Sequence, residues 1–418
     1  MIEYDAIKHK LTLNILGIKL SLTFSLGKIL VKFFKPLIWF LDLIIPKNDK
    51  KIVFSFPDYG CNAEAYYSYM IKNYEKEYKC IKLLNYTDEK ITEKNTYIYY
   101  SIVGIYHLLT SKYIVITHTC NVVSLANNSR HIILNLWHGM PIKTIGCNEP
   151  NLNKILLDRY KTLGKYGYMF VTSDLFKQLM LSSFNGDYFK TYITGQPRTD
   201  LIWDNKNSEK IERLFNFKNY NKIILYMPTY KQNPMEEQTQ ITTEYNNIFY
   251  MDDYDGKGFI DYIESNNILF IMKPHPFSEE FYEEHPDTLP KSSNFKYVAS
   301  DFFNNNGINA YEVFKYVDLM ISDFSSVVLD YFILNRPVLF LSSLAKDYSA
   351  NRGMILSDNY DILMPGAKVN DFQSMLTEIK NNLYEDSYKE LREKGLPLLH
   401  KYRDDKACER VFEIMRGL

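Results

Sequence analysis

Cysteine is scarce in this 418-residue chain: Cys61, Cys80, Cys120, Cys147 and Cys408 are odd in number, scattered and never spaced C-x-x-C. That pattern excludes a disulfide framework and a thiolate zinc site, and it fits a reducing compartment. A surplus of one charge is also lacking. Lys plus Arg is 49 against 50 Asp plus Glu, so no basic excess exists to hold nucleic acid, and any polyanion must be gripped locally. No run of 18 uncharged apolar residues occurs, and Met1-Ile2-Glu3-Tyr4-Asp5 lacks the basic-then-apolar order of a secretory signal. The chain reads as neither secreted nor a simple membrane span. Missing too are G-x-x-x-x-G-K-[ST], G-x-G-x-x-G opening a helix, G-x-S-x-G and H-E-x-x-H. Kinase, dehydrogenase, hydrolase and zinc-protease readings lose their usual warrants with them.

What is present is a long alternation of apolar runs with mixed segments. The first series is Ile52–Phe56, Lys82–Leu84, Thr96–Tyr100, Tyr113–Ile116, His131–Leu136, Tyr168–Val171 and Lys190–Ile193; the second is Lys222–Tyr226, Ile268–Met272, Phe295–Val298, Asp318–Ile321 and Pro337–Leu341. Strands alternating with helices make parallel α/β sheets, and the length suits two domains of that style. The polar, loop-like stretch Asp204–Lys210 places the boundary within Trp203–Lys222, giving domains over 51–210 and 211–418 with residues 1–50 in front. In that leading part, Lys28, Lys32, Lys35 and Lys47 punctuate an apolar run carrying Phe33, Phe34, Leu37, Ile38, Trp39, Phe40 and Leu41. Such a segment lies on a membrane, lysines snorkelling and aromatics at the headgroups, and Pro36 and Asp42 weigh against a straight span; the alternative is a helix buried on the first domain. The polar stretch Gln232–Asn247 reads as a lid or a solvated loop.

In open parallel sheets, ligands bind beyond the carboxyl ends of the strands, and the residues there share one chemistry. After Val317–Ile321 comes Ser322-Asp323-Phe324-Ser325-Ser326 and then an apolar helix pattern. Serines at a helix start suit a phosphate, although Asp and Ser are also ordinary N-caps. After Leu136 comes Trp137-His138-Gly139-Met140-Pro141-Ile142-Lys143, in which His138 is placed to take a proton at neutral pH. Lys273-Pro274-His275-Pro276 holds a cation and a ring N–H on a stiff backbone. Gly195-Gln196-Pro197-Arg198-Thr199-Asp200 offers a guanidinium fork that Asp200 can orient, and Pro228-Thr229-Tyr230-Lys231 offers a hydroxyl and another cation. Asp252-Asp253-Tyr254-Asp255 has the look of a metal cluster but follows no clear strand, so it reads as a solvated loop and the site as independent of metal and cofactor.

Together these residues resemble the CDP-glycerol:poly(glycerophosphate) glycerophosphotransferase family of teichoic-acid primases and polymerases. The motifs fall in that family's order: Trp137–Gly146, Thr172–Asp174, Gly195–Asp200, Pro228–Lys231, Lys273–Pro276, and Ser322–Ser326 with Asp330 downstream. Gly60 with Asn62 and Asp404–Arg410 extend the match, with Asp405 where the family has glycine. The resemblance implies a GT-B-like fold, two Rossmann-type domains facing across a cleft, at the cytoplasmic face of the bacterial cell membrane. It implies transfer of a polyol phosphate, glycerol phosphate first, from a CDP-polyol to a hydroxyl of a lipid-linked saccharide or growing surface polymer, with release of CMP. On that basis His138 is the acceptor-side base, His275 and Arg198 touch the donor pyrophosphate, and Ser325 with Ser326 grip phosphate in a turn oriented by Asp323. Lys273 and Thr229 join the donor side, with Lys143, Asp200 and Lys231 as further cleft candidates. Two rivals stand beside it: a sialyltransferase using CMP-sialic acid, which leaves Trp137–Gly146 and Gly195–Asp200 unexplained, and a non-catalytic subunit of a polymer-assembly complex, which leaves both histidines unexplained.

Overall fold

The computed structural model describes residues 2–5, 10–15, 18–23, 26–56, 60–84, 91, 93–118, 125–150, 152–229, 247–323, 325–342, 353, 355–356, 361 and 363–418. The chain divides into two compact units: Met1–Pro57, Tyr67–Asn135 and Tyr166–Tyr168 form one, and Asp58–Tyr66, Leu136–Lys165 and Met169–Leu418 the other.

In the first unit the strands follow from their side chains. Buried apolar residues, many of them β-branched or aromatic, mark β4 (Asn48–Ser55), β5 (Lys79–Leu84), β6 (Thr96–Ile98), β7 (Ser111–Ile116) and β8 (Ile132–Asn135). They run parallel in the order β8-β7-β4-β5-β6. Ile52, Val53, Phe54, Ile114 and Val115 are fully buried, as expected of strands covered on both faces. Ahead of them lies a small antiparallel sheet, β1 (Ile2–Asp5), β2 (Lys10–Ile15) and β3 (Ile18–Thr23), which the amino-acid pattern does not announce. A 19-residue helix, Leu26–Ile44, follows it.

That helix is held at its C-terminal end. Asp42 is fully buried; its carboxylate accepts from His131 Nε2 at 2.9 Å and from the Asn127 N–H at 2.6 Å, and it pairs with Lys47 Nζ. Lys47 also reaches the Leu109 carbonyl at 2.5 Å. The expectation that Lys47 snorkels is therefore corrected, because a buried carboxylate holds it inside. Phe33, Phe34, Leu37, Trp39 and Phe40 stay exposed, whereas Ile38 turns inward. Among the described residues no helix is long and apolar enough to cross a membrane.

In the second unit β9 (Gly167–Val171) ends and pairs parallel with β10 (Thr191–Ile193). A six-stranded parallel sheet follows the order β13-β12-β11-β14-β15-β16: β11 (Lys222–Met227), β12 (Ile268–Met272), β13 (Phe295–Tyr297), β14 (Leu319–Ser322), β15 (Val338–Leu341) and β16 (Ala367–Val369). Its core packs Ile224, Tyr226, Phe249, Phe259, Phe270 and Ile321. The stretch read as a loop from Asp204 holds a helix, Ser208–Phe215, because Ile211 and Phe215, four apart, bury one face. Both sheets are parallel and Rossmann-like, as the alternation of apolar runs implies.

Candidate functional site

Strand β8 ends at Asn135, and the chain then makes a turn that few side chains tolerate. Trp137 has φ +51° and Gly139 φ +133°. A bulky residue in the left-handed region is strained and persists only where neighbours over-determine it, a condition that clusters at functional sites. The neighbours here are identifiable. Asn62 Nδ2 donates to the Leu136 carbonyl at 3.2 Å and the Trp137 carbonyl at 2.8 Å, and Arg198 Nη1 donates to the His138 carbonyl at 3.0 Å. Three successive carbonyls are thus gripped by two side chains. Asn62 also donates to Gln196 Oε1 and accepts from the Arg198 backbone N–H at 3.2 Å, so the braces are joined. The buried Trp137 ring packs on the half-buried His138 ring at 4.2 Å and edge-on against Phe184 at 4.8 Å. A side chain at position 139 would come within 2.7 Å of Arg198 Nη2 and 3.0 Å of Ser326 Oγ. Glycine is required there by φ and by space, and its open side brings the His138 turn against Arg198 and Ser326.

Arg198 is the hub. Its Nε and Nη2 donate to Asp330 Oδ2 at 3.0 and 2.5 Å, and the Tyr311 hydroxyl donates to the same oxygen at 2.7 Å. The guanidinium also lies 5.1 Å from the Tyr311 ring centroid. Burial alone would lower the Arg198 pKa, but the charge of Asp330 raises it. The sequence reading gives Asp200 the task of orienting Arg198, and the structure corrects this. Asp200 instead accepts from the backbone N–H of Ala407 at 2.9 Å and Cys408 at 2.8 Å, capping the helix Ala407–Gly417. A carboxylate from a distant segment, Asp330, takes the place beside Arg198.

The second cluster sits where the strand order of the six-stranded sheet reverses. β11 has β12 on one side and β14 on the other, with Tyr226 level with Met272 and Met227 level with Ser322. The segments leaving these three strands are neighbours at one edge, the place where open α/β sheets bind ligands. Thr229 donates from its backbone N–H to Asp323 Oδ1 at 2.9 Å and from its hydroxyl to Oδ2. Burial raises the Asp323 pKa, opposed by the Thr229 hydrogen bonds and the charge of Lys143. The structure thus gathers Lys143, Thr229 and Asp323, while Ser325 and Ser326 are partly exposed just beyond. The helix after the serines, Val327–Tyr331, has only five residues, and Ser326 at its N-cap makes no capping bond. An anion here depends on side chains rather than a helix dipole.

Lys273 Nζ lies 3.6 Å from Glu279 Oε1, and burial pushes its pKa down against the pull of that carboxylate. His275 caps the helix Pro276–Glu284, its Nδ1 accepting from the Phe277 N–H at 3.3 Å. That bond puts the proton of the neutral ring on Nε2, a ready donor. Lys231 and the expected lid at Gln232–Asn247, apart from Asn247 itself, lie outside the described residues. Asp253 binds the Phe372 N–H at 2.9 Å and Asp255 caps the helix Gly256–Ser265, so that stretch serves the backbone. Tyr311 and Gln196 escape sequence reasoning, because a tyrosine in an aromatic-rich chain and a glutamine beside a proline carry no periodic signal; only their long-range partners mark them.

Comparison with known proteins shows what this chain is similar to. The family model "CDP-Glycerol:Poly(glycerophosphate) glycerophosphotransferase" matches residues 37–416. The teichoic acid glycerol-phosphate primase of Bacillus subtilis (strain 168) is 24% identical over 407 residues, covering 92% of this chain and 96% of the relative. The teichoic acid poly(ribitol-phosphate) polymerase of Bacillus spizizenii (strain ATCC 23059 / NRRL B-14472 / W23) is 26% identical over 392 residues, covering 88% and 56%. Among solved structures, the wall teichoic acid polymerase TagF superposes with a TM-score of 0.73 at 20% identity, covering 93% of this chain and 95% of that one. At that identity the likeness concerns the fold. The match over residues 37–416 settles membership: this chain belongs to the CDP-glycerol:poly(glycerophosphate) glycerophosphotransferase family and is a transferase of that kind.

Proposed function

We propose that the protein transfers a polyol phosphate, with glycerol phosphate the first candidate, from a CDP-polyol to a hydroxyl of a lipid-linked saccharide or growing surface polymer in teichoic-acid or capsule-type synthesis. The acceptor oxygen attacks the polyol-side phosphorus, the pyrophosphate P–O bond breaks, CMP leaves, and the hydroxyl proton passes to His138. Ser325, Ser326, Lys273 and His275 Nε2–H bind the donor phosphates, with Arg198 holding the turn and offering its remaining N–H groups. The single observation that carries this reading is the strained His138 turn, whose Gly139 backbone opens onto Ser326 and Arg198. With it goes a GT-B-like reading, acceptor side on 51–210 and donor side on 211–418, supported by the likeness to TagF, which has also been studied soaked with CDPG.

Membrane recruitment belongs to the same reading. It is supported by the exposed Phe33, Leu37, Trp39 and Phe40, and by Ile102, 88% exposed at the start of the neighbouring helix Ile102–Thr110. The test is CMP release with a lipid-linked acceptor in liposomes from CDP-glycerol, CDP-ribitol and CMP-sialic acid. The expected result is release from a CDP-polyol, reduced about 10²- to 10⁴-fold in His138→Ala. Release from CMP-sialic acid alone overturns the reading.

A further inference from the structure

Holding three carbonyls of one strained turn takes donors that are themselves fixed, and the fixing of Arg198 can be traced outward. Its carboxylate partner Asp330 is fully buried, and three donors converge on one oxygen, Oδ2: Arg198 Nε, Arg198 Nη2 and the Tyr311 hydroxyl. Two of these come from the residue being held, so the Tyr311 hydroxyl supplies the outside anchor. Tyr311 is itself immobilised. It is 6% exposed, packs at 4.7 Å on Phe314, and lies in the turn Ala310–Val313, whose start is locked by a reciprocal Asn309–Glu312 capping box. Asn207 Nδ2 secures Glu312 in turn, at 2.8 Å. We propose that Tyr311 is a positioning residue for His138, acting through Asp330 and Arg198 on the His138 carbonyl.

The physical case rests on geometry. A buried carboxylate that keeps only the arginine contacts can rotate about its own side-chain bond, and the fork of Arg198 follows it. The third donor removes that freedom, and within a buried network each bond restrains the others. The output is one atom, the His138 carbonyl oxygen, 3.0 Å from Nη1. A shift there turns the imidazole relative to the acceptor, and displacement on the ångström scale costs catalysis heavily. The Tyr311 hydroxyl is spent on Asp330 and is not among the groups proposed to bind the donor. The inference rests on His138 acting in the proposed phosphotransfer, so the test has one arm that needs no turnover.

Tyr311→Phe keeps the buried ring and removes only the hydroxyl; Arg198→Lys keeps the charge but cannot reach Asp330 and the His138 carbonyl together. In steady-state CMP release, each variant is expected to lower kcat about tenfold or more; Tyr311→Phe, which leaves every donor-binding side chain in place, should keep KM for the CDP-polyol within about twofold, whereas Arg198→Lys, which removes N–H groups offered to the donor, should also raise it. The double variant should fall little further than Arg198→Lys alone, since the contacts act in series. In the second arm, full-length protein labelled at its eight histidines is followed by NMR, with the His138 signal assigned through His138→Ala. Tyr311→Phe should shift or broaden that signal and leave His107 and His285 in place. An unmoved His138 signal overturns the proposal, as does a Tyr311→Phe enzyme with unchanged kcat. If the unaltered protein releases no CMP from any CDP-polyol, the phosphotransfer reading falls, and the NMR arm alone decides the positioning role.

Discussion

Asn62 shows how much one neutral side chain can hold. Its amide meets the Leu136 and Trp137 carbonyls, Gln196 and the Arg198 N–H, and it is fully buried. Asn62→Ala strands several buried polar groups at once, and the expected loss is about 2–4 kcal/mol by denaturant unfolding. His107 gives a residue-scale prediction of another kind. It is 4% exposed, its Nδ1 has no partner among the described residues, and burial with the charges of Lys51 and Lys79 pushes its pKa down to about 4. Between that value and the ordinary 6.5 the unfolded chain binds a proton that the folded chain refuses, so stability falls as pH drops through this window. The upper bound is about 3 kcal/mol. Urea midpoints measured from pH 7 to pH 4 should flatten in His107→Gln; an unchanged slope would assign the acid lability elsewhere.

At the scale of elements, the helix Leu26–Ile44 is fastened by one carboxylate. Burial raises the pKa of Asp42, but the His131 hydrogen bond and charge, with those from Lys47 and Asn127, more than offset this, and the net shift is downward. A depressed carboxylate contributes stability that is present at neutral pH and lost as pH falls through its folded value. Asp42→Ala leaves Lys47 and His131 facing an empty buried position, at a cost of about 3–5 kcal/mol, and protease cleavage near the helix should accelerate well before global unfolding. The amino-acid pattern names Asp42 only as an obstacle to a membrane span; its role needs His131, 89 positions away. Strands were legible wherever β-branched, aromatic and other apolar residues cluster, as in Ile52–Phe54 of β4 and throughout β12. β16, Ala367–Val369, is too short and too plain to declare itself. The candidate site was legible as a set of local motifs, at His138, Thr229, His275 and Ser325–Ser326, because each sits just past an apolar run; their roles remain those of the proposal. Asp330 as the partner of Arg198, 132 positions away, was not, and the nearer Asp200 drew the assignment because sequence proximity imitates spatial contact.

For the whole molecule, the proposed chemistry and the proposed surface make one linked demand: a hydroxyl on a lipid-borne acceptor must reach a site on a protein in which no described helix is long and apolar enough to cross a membrane. Weak interfacial adsorption meets that demand if it raises the local concentration of acceptor, and aromatic side chains at the headgroup boundary supply such adsorption. Phe33 is 78% exposed and Phe40 55% exposed, so exchanging both for serine removes apolar area that the fold does not use, and thermal stability should stay within about 0.5 kcal/mol of the parent. Sedimentation with liposomes should drop severalfold. Activity divides the alternatives. Phe33→Ser with Phe40→Ser should lose most CMP release with acceptor embedded in liposomes yet retain it with a short, water-soluble acceptor, because the His138 turn and the donor-side residues are untouched. Equal loss on both acceptors would mean that these aromatics serve the fold, and equal retention would mean that the bilayer is met by another surface.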